Sequence, residues 1–160
     1  MRPFWWAIAI LFFSSSGQTY DIGISYGLNP PVVQTTHVKT VQISAAAPLY
    51  KNLWHRLSYS HWFEAGEGLS GGLAAYGLGT RIYAAPYYAE LYWGIGYLTN
   101  PDQVWLSGHW QFQNTLCGGL MASTEVRIGS CYGHVSRGPI EAVGPNRGRD
   151  FVMAEVGFAL

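Results

Sequence analysis

Between Tyr87 and Leu98 the chain changes character at every residue. Tyr87, Ala89, Leu91, Trp93, Ile95 and Tyr97 form one set, and Tyr88, Glu90, Tyr92, Gly94 and Gly96 alternate with them. A period of two belongs to an extended strand, whose successive side chains point to opposite faces of a sheet; on a helix the two sets would be mixed on every face. The same split recurs in Tyr20, Ile22, Ile24 and Tyr26 against Asp21, Gly23, Ser25 and Gly27. It recurs again in Val104, Leu106, Trp110 and Phe112 against Ser107, His109, Gln111 and Gln113. One face is apolar and aromatic, the other small and polar.

Turn signals divide the chain beyond residue 17 into eight pieces of about 18 residues, the size of a barrel strand with its connection. Breaks rich in Pro, Gly, Asn or Asp are expected at Asn29–Thr36, Ala47–Asn52, Glu64–Ser70, Ala84–Pro86, Asn100–Gln103, Asn114–Gly118 and Arg137–Arg147. No repeat or linker interrupts the series, so residues 18–160 are expected to form one all-β domain. Residues 1–17 read differently. Met1, Arg2 and Pro3 precede the apolar run Phe4–Phe13 and then Ser14, Ser15, Ser16 and Gly17, the layout of a signal peptide cleaved near Gln18. No Cys follows that could take a lipid anchor. Beyond residue 20 no apolar run approaches the roughly 18 residues that a spanning helix needs.

Two architectures produce the alternation: a soluble barrel that is apolar inside, or an outer-membrane barrel that is apolar outside. The charges discriminate between them. Only 11% of residues are charged, against about 25% in a typical soluble protein. Asp21, Arg56, Arg81, Glu90, Glu125, Arg127 and Glu155 all fall on the face of small residues. That face lacks the density of Lys and Glu needed by a water-exposed wall, but it suits a narrow, side-chain-filled lumen. The expected fold is therefore an eight-stranded antiparallel outer-membrane β-barrel, with Arg127 paired to Glu155 or Glu125. An even strand number puts both termini in the periplasm and the connection 137–147 outside the cell. Nine basic against nine acidic residues give no electrostatic footprint for nucleic acid. Cys117 and Cys131 read as small apolar fillers, with a disulfide allowed by export.

Chemistry concentrates in Gly133–His134–Val135–Ser136–Arg137–Gly138 and in Gly144–Pro145–Asn146–Arg147–Gly148–Arg149–Asp150–Phe151. His134 and Ser136, two apart on a strand, share a face at about 7 Å along the chain. Parity puts them with Val126, Ile128 and Tyr132 on the lipid side, and puts Asp150 there with Val152, Ala154, Val156, Phe158 and Leu160. A nucleophile, a base and an orienting acid thus gather on the outer wall, the set required for acyl transfer through a serine. His109 reads as an inward polar filler and Glu141 as a solvated loop carboxylate. His55 and His61 have no Cys or carboxylate at ligand spacing, so no metal motif appears, and a base-activated serine needs neither a metal nor an organic cofactor.

At these residues the chain resembles the lipid A 3-O-deacylase family of PagL-type outer-membrane esterases, whose signature is His-x-Ser-Asn followed by Asn-x-Gly-x-Glu. The resemblance implies that His134 is the general base, Ser136 the nucleophile and Asp150 the orienting acid, while Asn146 and Gly148 fill the remaining motif positions. It also implies that the partner is lipid A, or lipopolysaccharide, in the outer leaflet, and that the product is a 3-hydroxy fatty acid. Two positions depart from the motif: Arg137 follows the serine where the family has Asn, and the acid is one methylene shorter. Arg137 could donate to an oxyanion or hold a lipid A phosphate. A non-enzymatic structural or adhesive barrel, and a phospholipase built on the same triad, are the alternatives. The acyl-transfer reading carries a register with it: His134 opposite Asp150, hence Tyr132 opposite Val152, Ile128 opposite Val156 and Val126 opposite Phe158, with Gly148 leaving open space across from Ser136.

Overall fold

The computed structural model describes residues 20–28, 38–64, 70–101, 106, 108–137 and 148–160. The expected signal segment, Asn146 and Glu141 lie outside them. The described residues form eight strands: β1 (Asp21–Leu28), β2 (Val38–Tyr50), β3 (Leu53–Glu64), β4 (Ser70–Ala84), β5 (Tyr87–Leu98), β6 (Trp110–Met121), β7 (Val126–Arg137) and β8 (Arg149–Ala159). Each pairs antiparallel with its neighbours, and β8 returns to β1, closing a barrel. Closure leaves no strand edge with unpaired backbone groups, a condition that any sheet crossing a bilayer must meet.

The outer wall is apolar. Ile24, Ile43, Tyr59, Leu78, Trp93, Leu116, Ile128 and Val152 are exposed, while Asp21, Arg56, Arg81, Glu90, Arg127 and Glu155 are buried in the lumen. That inversion of the soluble pattern is the alternation read from the sequence.

The lumen is layered along the barrel axis. Near the short turns an ion network fills it. Arg81 pairs with Asp21, and its Nε is 2.7 Å from Glu90 Oε1. Arg127 reaches Asp21 at 3.1 Å, Glu90 at 3.3 Å and Glu155 at 3.5 Å, and Arg56 meets Glu155 at 3.2 Å. Every charge in this group has an opposite neighbour, as charges removed from water require. At mid-height the lining is Ser, Thr and Gln; Gln42 donates to Ser60 Oγ at 2.9 Å and Arg56 to Ser44 Oγ at 3.0 Å.

Toward the long connections the lumen departs from the polar lining expected of it. Val38, Trp62, Leu73, Leu98, Leu106, Val135 and Phe151 are buried in one cluster, with the Trp62 and Phe151 rings stacked at 5.1 Å. Inward positions near a barrel mouth are unconstrained by the membrane, so parity predicts their direction but not their polarity.

Several local expectations are corrected. Asn114–Gly118 is no break but the middle of β6; the turn is Ala122–Glu125, where Ser123 Oγ accepts the amide hydrogens of Glu125 and Val126. Gly119 of β6 serves packing: a Cβ there would collide with the Ile128 carbonyl and Gly129 of the adjoining strand. Glu125, in that turn, is exposed and takes no part in the lumen network. The β5–β6 connection extends from Thr99 to His109 rather than ending at Gln103, and Leu106 turns into the lumen instead of facing lipid. His109 is half-buried and stacks on Tyr97 at 5.1 Å, with Nδ1 2.8 Å from the Leu98 carbonyl oxygen, so it is not a lumen filler. Cys117 and Cys131 face each other across β6 and β7 and form a disulfide, where the sequence reading favoured separate fillers.

Small residues in the lumen make room for large ones. A Cβ at Gly157 would run into the Arg127 guanidinium, and one at Gly79 into the Tyr92 ring. Gly157→Ala is therefore expected to destabilise the barrel by about 1–3 kcal/mol, the usual cost of overpacking. A lowered urea midpoint for unfolding from lipid vesicles measures it, and an unchanged midpoint would show that Arg127 moves aside freely.

Candidate active site

Strands β7 and β8 carry the candidate chemistry. Their ladder runs from Val126 opposite Phe158, through Ile128 opposite Val156 and Tyr132 opposite Val152, to His134 opposite Asp150 and Val135 opposite Arg149. This is the register expected from the sequence. It matches apolar with apolar along the lipid face, which is what pins a strand pair on that side.

His134 and Asp150 therefore stand side by side on the outer wall near the long-connection end. Their side chains are 37% and 32% exposed, so both remain reachable from outside. The imidazole Nδ1 lies 2.7 Å from Asp150 Oδ1. An aspartate that accepts the Nδ1 hydrogen fixes the neutral tautomer whose lone pair is on Nε2, which makes that nitrogen a base. A second donor converges on the same oxygen: the Tyr132 hydroxyl hydrogen-bonds to Asp150 Oδ1. Tyr132 sits two residues before His134 on the same face, and a parity reading that treated it only as a lipid-facing aromatic missed this contact.

Ser136 lies beyond His134 on β7, half-buried and opposite Phe112 of β6. No hydrogen bond joins it to His134. Gly148, immediately before β8, has a different role from the one expected: a Cβ there would lie 2.6 Å from Cε1 and 3.1 Å from Nε2 of His134. The space that glycine leaves is filled by the imidazole edge, not held open across from Ser136. The ladder ends at Val135 and Arg149, one step short of pairing those two residues. Arg137 closes β7 opposite Gln111 of β6. Arg149, next to Asp150, points the other way and is buried in the lumen.

Among the described residues, one group brings potential metal ligands together: Cys117, Cys131 and Glu155, inside the barrel and away from the outer-wall cluster. Its two sulfurs are bonded to each other, and Glu155 Oε2 lies 3.4 Å from the Cys131 sulfur.

The sequence matches no known protein-family profile and no curated protein. Solved structures do resemble the fold. A designed transmembrane β-barrel aligns over 91% of this chain and 98% of its own, at 12% identity and a TM-score of 0.64. Neisserial surface protein A aligns over 89% and 97%, at 13% identity and a TM-score of 0.55. The outer membrane enzyme PagL aligns over 88% and 99%, at 14% identity and a TM-score of 0.65. Likeness at such low identity speaks for the architecture alone, and the architecture of this chain is that of a small outer-membrane β-barrel.

Proposed function

We propose that this chain is an outer-membrane esterase that releases the 3-position acyl chain of lipid A. The observation that carries the reading is the 2.7 Å contact of His134 with Asp150 on the lipid-facing wall. An aspartate and a histidine on that wall have a desolvation cost and no folding role evident in the lumen, which is the profile of a functional pair. The His-x-Ser and Gly-x-acid spacing, and the fold shared with an enzyme among the solved barrels, support the same reading.

In this mechanism Asp150 holds the tautomer of His134, and His134 Nε2 takes the Ser136 proton as Oγ attacks the ester carbonyl. The imidazolium then returns that proton to the departing sugar oxygen, leaving an acyl-serine. Water, deprotonated by the same imidazole, releases the 3-hydroxy fatty acid and restores the serine. A base-activated serine supplies the nucleophile, so no step calls on a metal or organic cofactor. Serine–base hydrogen bonds of this kind commonly tighten only in the substrate or transition-state complex. Arg137, and Asn146 in the following connection, are the proposed donors to the oxyanion or to a lipid A phosphate. Export through a cleaved signal peptide and residence in the outer membrane, with the long connections outside the cell, complete the proposal.

Mass spectrometry of lipid A incubated with the purified barrel in mixed micelles tests it. The expected result is loss of one 3-hydroxyacyl chain. Hydrolysis of glycerophospholipid instead would favour the phospholipase. No hydrolysis of either lipid would favour a non-enzymatic barrel, the reading to which the lack of a hydrogen bond between Ser136 and His134 lends weight. Asp150→Ala is expected to retain one to two orders of magnitude more activity, at about that scale, than a variant lacking the nucleophile, because an orienting acid contributes less than the group it orients and Asn146 is placed in sequence to substitute in part. Equal losses in the two variants would give Asp150 a larger role than orientation.

A further inference from the structure

The proposed triad accounts for the His134 donor on Asp150 Oδ1 and leaves a second donor unexplained. The Tyr132 hydroxyl is that second donor. Its ring stands on the lipid-facing wall and is 47% exposed. The pairing of Tyr132 with Val152 and of His134 with Asp150 makes Tyr132 and Asp150 diagonal neighbours, a separation that a tyrosine spans with its full length. A tyrosine that only filled an aromatic girdle would turn its hydroxyl toward water and headgroups. This one turns it sideways onto a carboxylate.

We infer that Tyr132 is a positioning residue that clamps Asp150 in the rotamer presenting Oδ1 to His134. The inference rests on the esterase reading for its effect on rate, and on the geometry alone for the clamp itself. An aspartate has two side-chain torsions, and a carboxylate at the lipid boundary is drawn toward water. Oδ1 is the oxygen that must stay on Nδ1, and the imidazole changes partner at Nε2 during turnover. A phenol on the same oxygen holds it while the imidazole gains and loses its proton at Nε2. The hydroxyl has no contact with the reacting atoms, so its effect passes through Asp150 and is confined to steps that need the imidazole aligned.

Three measurements test the clamp. In kinetics on lipid A, Tyr132→Phe is expected to lower kcat about 10-fold with KM unchanged, because substrate binding does not involve the hydroxyl. In the Asp150→Ala background the same substitution should have no further effect, since the group it acts through is gone; a packing role would lower activity equally in both backgrounds. The third measurement requires no catalysis: the low-field NMR resonance of the His134 Nδ1 proton, in the micelle-embedded barrel, should shift on Tyr132→Phe. Retained heat-modifiable migration on gels confirms that the variant, which keeps the ring, is folded. An unmoved resonance overturns the clamp whether or not the barrel hydrolyses any ester. A shifted resonance in a barrel inert toward lipid A supports the clamp and sinks the esterase reading, so the two failures are distinguishable.

Discussion

Ser136→Ala and His134→Ala should each reduce lipid A deacylation by about four orders of magnitude or more, to the background left by binding alone. The size follows from the division of labour. Without Oγ there is nothing to acylate, and without the imidazole the serine stays a neutral alcohol, a poor nucleophile at the pH of the cell surface. The fold should survive both changes, because neither residue reaches the lumen and the network around Arg81 and Arg127 does not involve them. Intact heat-modifiable barrels that leave lipid A unchanged by mass spectrometry are the expected result. Activity persisting in Ser136→Ala would exclude the serine mechanism, and loss of folding in either variant would give these residues a structural role.

The second large effect lies in the lumen. Glu155 is fully buried, pairs with Arg56 at 3.2 Å and Arg127 at 3.5 Å, and accepts from Ser25 at 3.2 Å. Glu155→Ala removes the carboxylate closest to Arg56 and is expected to destabilise the barrel by about 3–5 kcal/mol, the cost of stranding a buried charge. Urea unfolding from lipid vesicles reads the difference. Arg56→Met combined with Glu155→Met should recover part of the loss, since removing both charges of a buried pair is far milder than removing one. A loss below about 1 kcal/mol in the single variant would mean that water or another carboxylate of the network satisfies Arg56.

The strand alternation was legible because a bilayer leaves little freedom: outward residues must be apolar, so Tyr87–Leu98 states its own geometry. Register in β7 and β8 was legible for the same reason, with a one-residue slip placing Arg127 and Glu155 in lipid. Turn chemistry failed where glycine had a second use. Asn114–Gly118 read as a break, yet it lies within β6, and the neighbouring Gly119 lets β6 lie close against β7. The mouth of the lumen failed because parity is silent on polarity there, and Leu106 entered it from a connection. At the site, the His134–Asp150 pair followed from register, whereas Tyr132 required knowledge of a side-chain torsion that no sequence period encodes.

The closed wall of the barrel has a kinetic consequence for the proposed esterase. It separates His134, on the outer face, from the lumen, so on that reading a lipid would meet the imidazole by sideways diffusion within its own leaflet. Encounter is then two-dimensional, and the variable that sets its frequency is the mole fraction of that lipid in the surface rather than its concentration in solution. Diluting lipid A with inert detergent at constant total amounts should slow turnover, and concentrating it into a crowded leaflet should speed it. For an esterase of the proposed kind, the composition of the surrounding membrane would be the substrate concentration.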